Sequence, residues 1–120
     1  MLESGFVLRE AGRLDEAETI FRGVGELIPN SDVPCVALGT IELQRGRFDL
    51  AQSACEEALR LKPESLYARV HRAESLLFQQ KREEAEQELR QIIETDPTSP
   101  HSRTAQALLE AADLICASPA

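Results

Sequence analysis

The small and apolar positions of this 120-residue chain recur at one interval. Ala17, Ala51 and Ala85 are 34 residues apart, and Phe21, Cys55 and Leu89 keep step with them, as do Val24, Ala58 and Ile92. Gly5, Gly39 and Ala73 form a fourth column, and Pro29, Pro63 and Pro97 a fifth. The polar residues follow the same ruler: GRLDEA at Gly12–Ala17, GRFDLA at Gly46–Ala51 and QKREEA at Gln80–Ala85. A period of this size marks stacked helix pairs, each too small to bury its apolar face alone. Phe21, Cys55 and Leu89 lie four residues after the column alanine, on the same helical face. Gly5, Gly39, Ala73 and the column alanines suit places where two helices cross closely. Each proline stands where a helix must stop, for want of an N–H. Gly12 and Gly46 punctuate the turn within a pair. The pattern predicts seven helices, at about 2–11, 14–28, 33–45, 48–61, 65–79, 82–95 and 100–116. Ser99 followed by Pro100 supplies a capping hydroxyl and a pre-set first turn for the last of them.

These residues resemble the tetratricopeptide repeat, a helix–turn–helix unit with a small residue, a crossing alanine and a closing proline. The middle unit matches best, with Leu38–Gly39, GRFDLA and ALRLKP at Ala58–Pro63. The resemblance covers the whole chain and implies an all-α, right-handed superhelical α-solenoid forming a single domain over 1–120. Its units are expected at about 1–31, 32–65 and 66–99, with a capping helix at about 100–116 covering the open end and a frayed tail at 117–120. There are departures. The first unit begins three residues late, Gln80 replaces the turn glycine, and Arg69 and Arg72 occupy sites where the family places large apolar residues. Glu42 stands at the usual Tyr site of the middle unit, and an ion pair from Glu42 to Arg69 or Arg72 is expected to replace the apolar contact.

Composition narrows the function classes. Twenty-one acidic against 13 basic residues give a formal net charge of −8. Such a field repels nucleic acid and anionic membrane surfaces. Cys35, Cys55 and Cys116 lack any paired spacing, and His71 and His101 stand at no ligand interval, so neither metal nor cofactor is expected. The cysteines read as small hydrophobes in a reducing compartment. No apolar run approaches the ~20 residues of a membrane span. MLESGFVLREAGR is acidic where a signal peptide is basic, and a cytoplasmic location is expected. Glu16, Glu56, Glu57, Glu83, Glu84 and Glu86 fall beside Arg and Lys on helix faces, where solvation explains them, and no nucleophile context or phosphate-binding loop occurs. The chain is not expected to be an enzyme.

The resemblance instead implies a concave surface lined by the first helix of each pair, a protein or peptide segment being its usual occupant. Carried onto this chain, the lining is Leu2, Phe6, Arg9 and Glu10 in the first unit. Val33, Val36, Thr40, Leu43 and Gln44 follow in the second, and Tyr67, Val70, Glu74, Leu77 and Phe78 in the third. Family members that clamp acidic chaperone tails use cations and Asn at fixed sites. Leu2, Phe6, Ala37, Tyr67 and His71 occupy them here, so an apolar trough for an amphipathic or extended apolar segment is expected. Val36, Val70 and Leu77 suit helix packing as well as they suit a ligand. Leu2, Phe6 and Val7 at one end, with Leu108, Leu109, Ala112, Ile115 and Cys116 at the other, read as patches that a second copy covers, giving a homo-oligomer. A small, acidic three-repeat protein with an apolar groove is similar to the type III secretion chaperones, which implies storage of a hydrophobic export substrate. The alternative is a scaffold or adaptor that assembles a complex.

Overall fold

In the computed structural model, which describes residues 1–117, the chain forms seven α-helices. They are α1 (Leu2–Glu10), α2 (Leu14–Leu27), α3 (Asp32–Gln44), α4 (Phe48–Leu61), α5 (Leu66–Phe78), α6 (Arg82–Thr95) and α7 (Pro100–Ile115). Residues 118–120, part of the tail expected to fray, lie outside the described residues. Each helix packs against the next, and α5 also meets α3 and α7, so the helix pairs stack as an all-α solenoid. The stack measures 40 × 33 × 21 Å. No helix among the described residues is long and apolar enough to cross a membrane.

Local chemistry repeats with the period. Within each pair, one residue takes a left-handed conformation: Gly12 (φ 78°), Gly46 (φ 79°) and Gln80 (φ 67°). The hydrogen bonding around them is the same. The following residue's N–H reaches back five positions, from Arg13 to Leu8 O, Arg47 to Glu42 O and Lys81 to Leu76 O, at 2.8–2.9 Å. This closes the helix with a Schellman-type bond. Only Gln80 bears a side chain there, at a cost of about 1–2 kcal/mol.

Between pairs, Pro29, Pro63 and Pro97 follow the C-cap residues of α2, α4 and α6 in turns closed by Ser31 N→Ile28 O, Ser65 N→Lys62 O and Ser99 N→Asp96 O. Proline pre-sets the second residue of such a turn. The three serines then cap the next helix, their Oγ atoms accepting from Val33 N (3.2 Å), Ala68 N (3.0 Å) and His101 N (3.1 Å). Each cap contributes about 1 kcal/mol.

The core runs along the stack in three clusters. Ala17, Phe21, Ala37 and Ile41 form the first, Val36, Cys55, Ala58 and Ala68 the second. The third joins Leu76, Leu77, Leu89 and Ile92 to Ala105, Leu108 and Ala112 of α7, which closes the open end. Leu109, Ile115 and Cys116 also pack against this cluster. The apolar patch expected at that end is therefore turned inward, and the exposed large residue of α7 is Leu114 (83%). At the other end Leu2 and Phe6 lie against the first cluster, leaving Met1 and Val7 exposed.

The crossings are tight where the glycine column predicts. A methyl group on Gly5 would stand 2.7 Å from Cε1 and Cζ of Phe21. One on Gly39 would meet the Ala51 carbonyl oxygen at 3.1 Å and Ala54 Cβ at 3.2 Å.

Candidate functional site

The first helices of the three pairs, α1, α3 and α5, present residues one or two turns apart to a shared depression of about 290 Å³. Its lining is Arg9 and Glu10 from α1, Thr40, Leu43 and Gln44 from α3, and Tyr67, His71 and Glu74 from α5.

Tyr67 is the centre of an aromatic cluster. The His71 ring meets it edge-on at a centroid distance of 5.2 Å, and the His101 ring stacks on it at 5.4 Å. Burial pushes the Tyr67 hydroxyl above its ordinary pKa, although the Arg9 charge opposes this. Burial lowers His101, and the neighbouring His71 lowers it further against the pull of Asp32. His71 Nδ1 lies 2.9 Å from Glu74 Oε1, which fixes both side chains one turn apart on α5.

Arg9 crosses from the first unit to the second. Its Nη1 donates to Thr40 Oγ1 at 2.6 Å, and its guanidinium lies 5.0 Å from the centroid of the Phe6 ring. Thr40 Oγ1 in turn donates to Ala37 O at 2.7 Å. Arg9 Nε is buried without a hydrogen-bond partner, a feature that costs about 1–3 kcal/mol unless a ligand or water meets it.

The lining expected from the sequence divides in two. Thr40, Leu43, Tyr67 and Glu74, with Arg9, Glu10 and Gln44, line the depression. Leu2, Phe6 and Val33 are half-buried, the first two against the first core cluster. Val36, Val70 and Leu77 are fully buried in helix packing and present nothing to a ligand. Phe78 is also displaced: its ring stacks on Phe48 of α4 at 5.1 Å, at the joint between second and third units. Ala37, one of the clamp positions considered, is fully buried. The depression is thus more polar than the apolar trough expected.

The expected ion pair of Glu42 is absent. Glu42 accepts from Arg45 at 2.7 Å and Arg47 at 3.5 Å, near the end of its own helix. Arg45 also bonds Asp15 and Glu18 of α2, which lowers the Glu18 pKa and ties the first unit to the second. Arg69 pairs with Glu88 of α6, and Arg72 bridges Glu56 of α4 to Glu84 of α6. The helix rotation aims these arginines at the second helices, away from Glu42.

His101 was not expected at the site. Its place is set by the Ser99 cap, which begins α7 so that its first turn faces Tyr67.

A tetratricopeptide repeat profile matches residues 42–109. Human DnaJ homolog subfamily C member 3 is 28% identical over 112 residues, 93% of this chain and 22% of that protein. The chain thus spans about a fifth of the curated relatives it matches. Among solved structures, the first tetratricopeptide domain of Spaghetti (RPAP3) bound to an HSP90 peptide superposes with a TM-score of 0.77 at 23% identity, covering 97% of this chain and 90% of that one. The Yersinia enterocolitica type III secretion translocator chaperone SycD, in an alternative dimer, gives 0.78 at 25% identity, covering 94% and 89%. With the profile covering more than half of a chain that stacks such helix pairs throughout, the protein belongs to the tetratricopeptide repeat family.

Proposed function

We propose that the protein is a non-catalytic interaction module that holds a segment of a partner protein along its concave face. The observation that carries this reading is the depression built jointly by α1, α3 and α5, lined by Arg9, Leu43, Tyr67, His71 and Glu74. Leu43, the Tyr67 ring and the half-buried Leu2, Phe6 and Val33 offer apolar anchor points. Arg9, Thr40, His71 and Glu74 offer hydrogen bonds between them. This alternation suits an amphipathic segment, helical or extended, better than a wholly apolar one.

The likeness to a translocator chaperone supports a sharper version, in which the partner segment is aggregation-prone and is kept soluble until release. The net charge of −8 would help by keeping the complex dispersed. Three free cysteines agree with a reducing, cytoplasmic setting.

The test is copurification from the native host of tagged wild type, Leu43→Glu and Tyr67→Ala, with far-UV circular dichroism as a check on folding. Loss of the bound partner in both folded variants is expected. Retention of the partner at wild-type yield would overturn the concave assignment. An adaptor would instead bring down two partners, of which these substitutions remove one.

A further inference from the structure

The second and third units treat one surface in opposite ways. Cys35 and Leu38 of α3, with Leu50 and Ala54 of α4, stand one 34-residue period before Arg69, Arg72, Glu84 and Glu88. In the third unit these four positions are charged and interlocked: Arg69 holds Glu88 at 2.7 Å, and Arg72 reaches Glu56 at 3.0 Å and Glu84 at 3.6 Å. The space between α4 and α6 is thereby spanned by side chains of α5. In the second unit the same four positions are apolar, and the ion pairs from Glu18 through Arg45 and Glu42 to Arg47 cross only at the C-terminal end of α3. What remains is a cleft on another face of α3 from the concave site. It consists of two adjoining depressions of about 400 and 260 Å³, which share Arg22, Cys35 and Leu38.

Its floor is apolar and its rim is acidic. Leu50 stands 48% exposed on one wall. Glu18, Glu26, Glu42 and Glu57 line the cleft against Arg22 and Arg47. Glu18 and Glu42 are neutralised by the Arg45 cluster and Glu57 is paired with Arg60 of its own helix, but Glu26 has no cation within 4 Å among the described residues. The charges that act on the Cys35 thiol are those of Glu57 and Asp32, both carboxylates. Carboxylates thus outnumber cations in the lining by four to two, within a chain of net charge −8.

We propose that this cleft between α2 and α4 is a second docking site, for a basic amphipathic segment of a partner protein. An apolar side chain of that segment covers Leu38, Leu50 and Ala54, and a Lys or Arg beside it meets Glu26, the carboxylate of the lining without a cation. The apolar anchor supplies affinity, and the carboxylates select the sign of its flanks. The site is separate from the concave one, so a partner can occupy each at once.

The probe is a designed 18-residue amphipathic helix of Leu and Lys, titrated into the 15N-labelled protein, with a Leu/Glu peptide of the same pattern as control. The Leu/Lys peptide should shift the amides of Gly25, Cys35, Leu38 and Ala54, leave those of Thr40, His71 and Glu74 in place, and bind about tenfold more tightly than the control. Exchanging the four positions for those of the third unit (C35R, L38R, L50E and A54E together) should weaken binding about tenfold while the seven-helix dichroism persists. If that variant folds poorly, Leu50→Lys decides, since Leu50 is half-exposed and a surface change of this kind costs little stability. An about fivefold loss is expected there. The proposal falls if the Leu/Lys peptide causes no shifts or shifts the concave amides, or if the Leu/Glu peptide binds as well. Unchanged affinity in the folded variants, or a cleft already filled by a second copy in sedimentation, would also overturn it.

Discussion

One substitution, made at three places, should change stability with opposite signs. Gly23, Gly5 and Gly39 are all helical, and replacing any of them with Ala gains about 0.5–1 kcal/mol from helix propensity and a less flexible unfolded chain. At Gly23 nothing lies within 4 Å of the new methyl, so that gain stands alone. At Gly5 the methyl falls 2.7 Å from two ring carbons of Phe21, well inside contact distance. That ring is fully buried and held against Phe6 at 5.1 Å, so it has nowhere to turn. Overpacking of this kind costs about 1–3 kcal/mol, which leaves Gly5→Ala destabilised by about 1 kcal/mol. Gly39→Ala falls between the two: the obstruction at 3.1 Å is milder, but it is a backbone oxygen. Urea denaturation followed by far-UV circular dichroism measures all three. Gly23→Ala and Gly5→Ala should differ by about 2 kcal/mol, or roughly 8 °C in melting temperature for a chain of this size. If Gly5→Ala raises the midpoint as Gly23→Ala does, the close crossing of α1 and α2 is refuted.

Two further outcomes follow. Gln80→Gly relieves a side chain at φ 67° and loses only a weak, exposed bond to Ile115 O, so a net gain of about 0.5–1 kcal/mol is expected; a lower melting temperature would count against it. The folded-state pKa of His101 is depressed by burial and by His71, so the folded protein binds fewer protons there than the unfolded chain does. Its contribution is fully present above the ordinary histidine pKa and is lost as pH falls from about 6.5 through the depressed value. His101→Gln should flatten that part of the stability curve, and a wild-type slope in the variant would refute the linkage.

The helix pairs were legible because their signals are local: a left-handed turn at Gly12 and Gly46, a proline stop, and a small residue at each crossing. The column of Ser31, Ser65 and Ser99 was equally available, yet only Ser99 was read from the sequence as a cap. The lining of the concave face was harder to read for a physical reason. Helices α3 and α5 each pack against the preceding and the following helix and against each other, so apolar residues surround most of their circumference. Nothing in the spacing separates Val36, Val70 and Leu77, which are buried, from Leu43 and Tyr67, which are not. Ion-pair partners were harder still. Whether Glu42 meets Arg45 or Arg69 depends on helix rotation, which a repeat interval leaves unspecified. The Arg9–Thr40 contact joins residues 31 positions apart that no periodic column links, whereas His101 stands one full period after Tyr67, so the column Val33, Tyr67 and His101 was there to be read.

The unlike chemistry of the two joints also bears on how the stack assembles. A chain of near-identical units risks docking the wrong pair. Were α5 and α6 to settle on α2 in place of α3 and α4, Arg72 would meet Arg22, which occupies the place held in the correct stack by Glu56. A unit of the middle kind set on α4 would lay Leu38 over that same carboxylate and leave it without its arginine. The four charged positions of the third unit thus act as a key that fits one lock, making the order of the units a property of the folded chain as well as of its sequence.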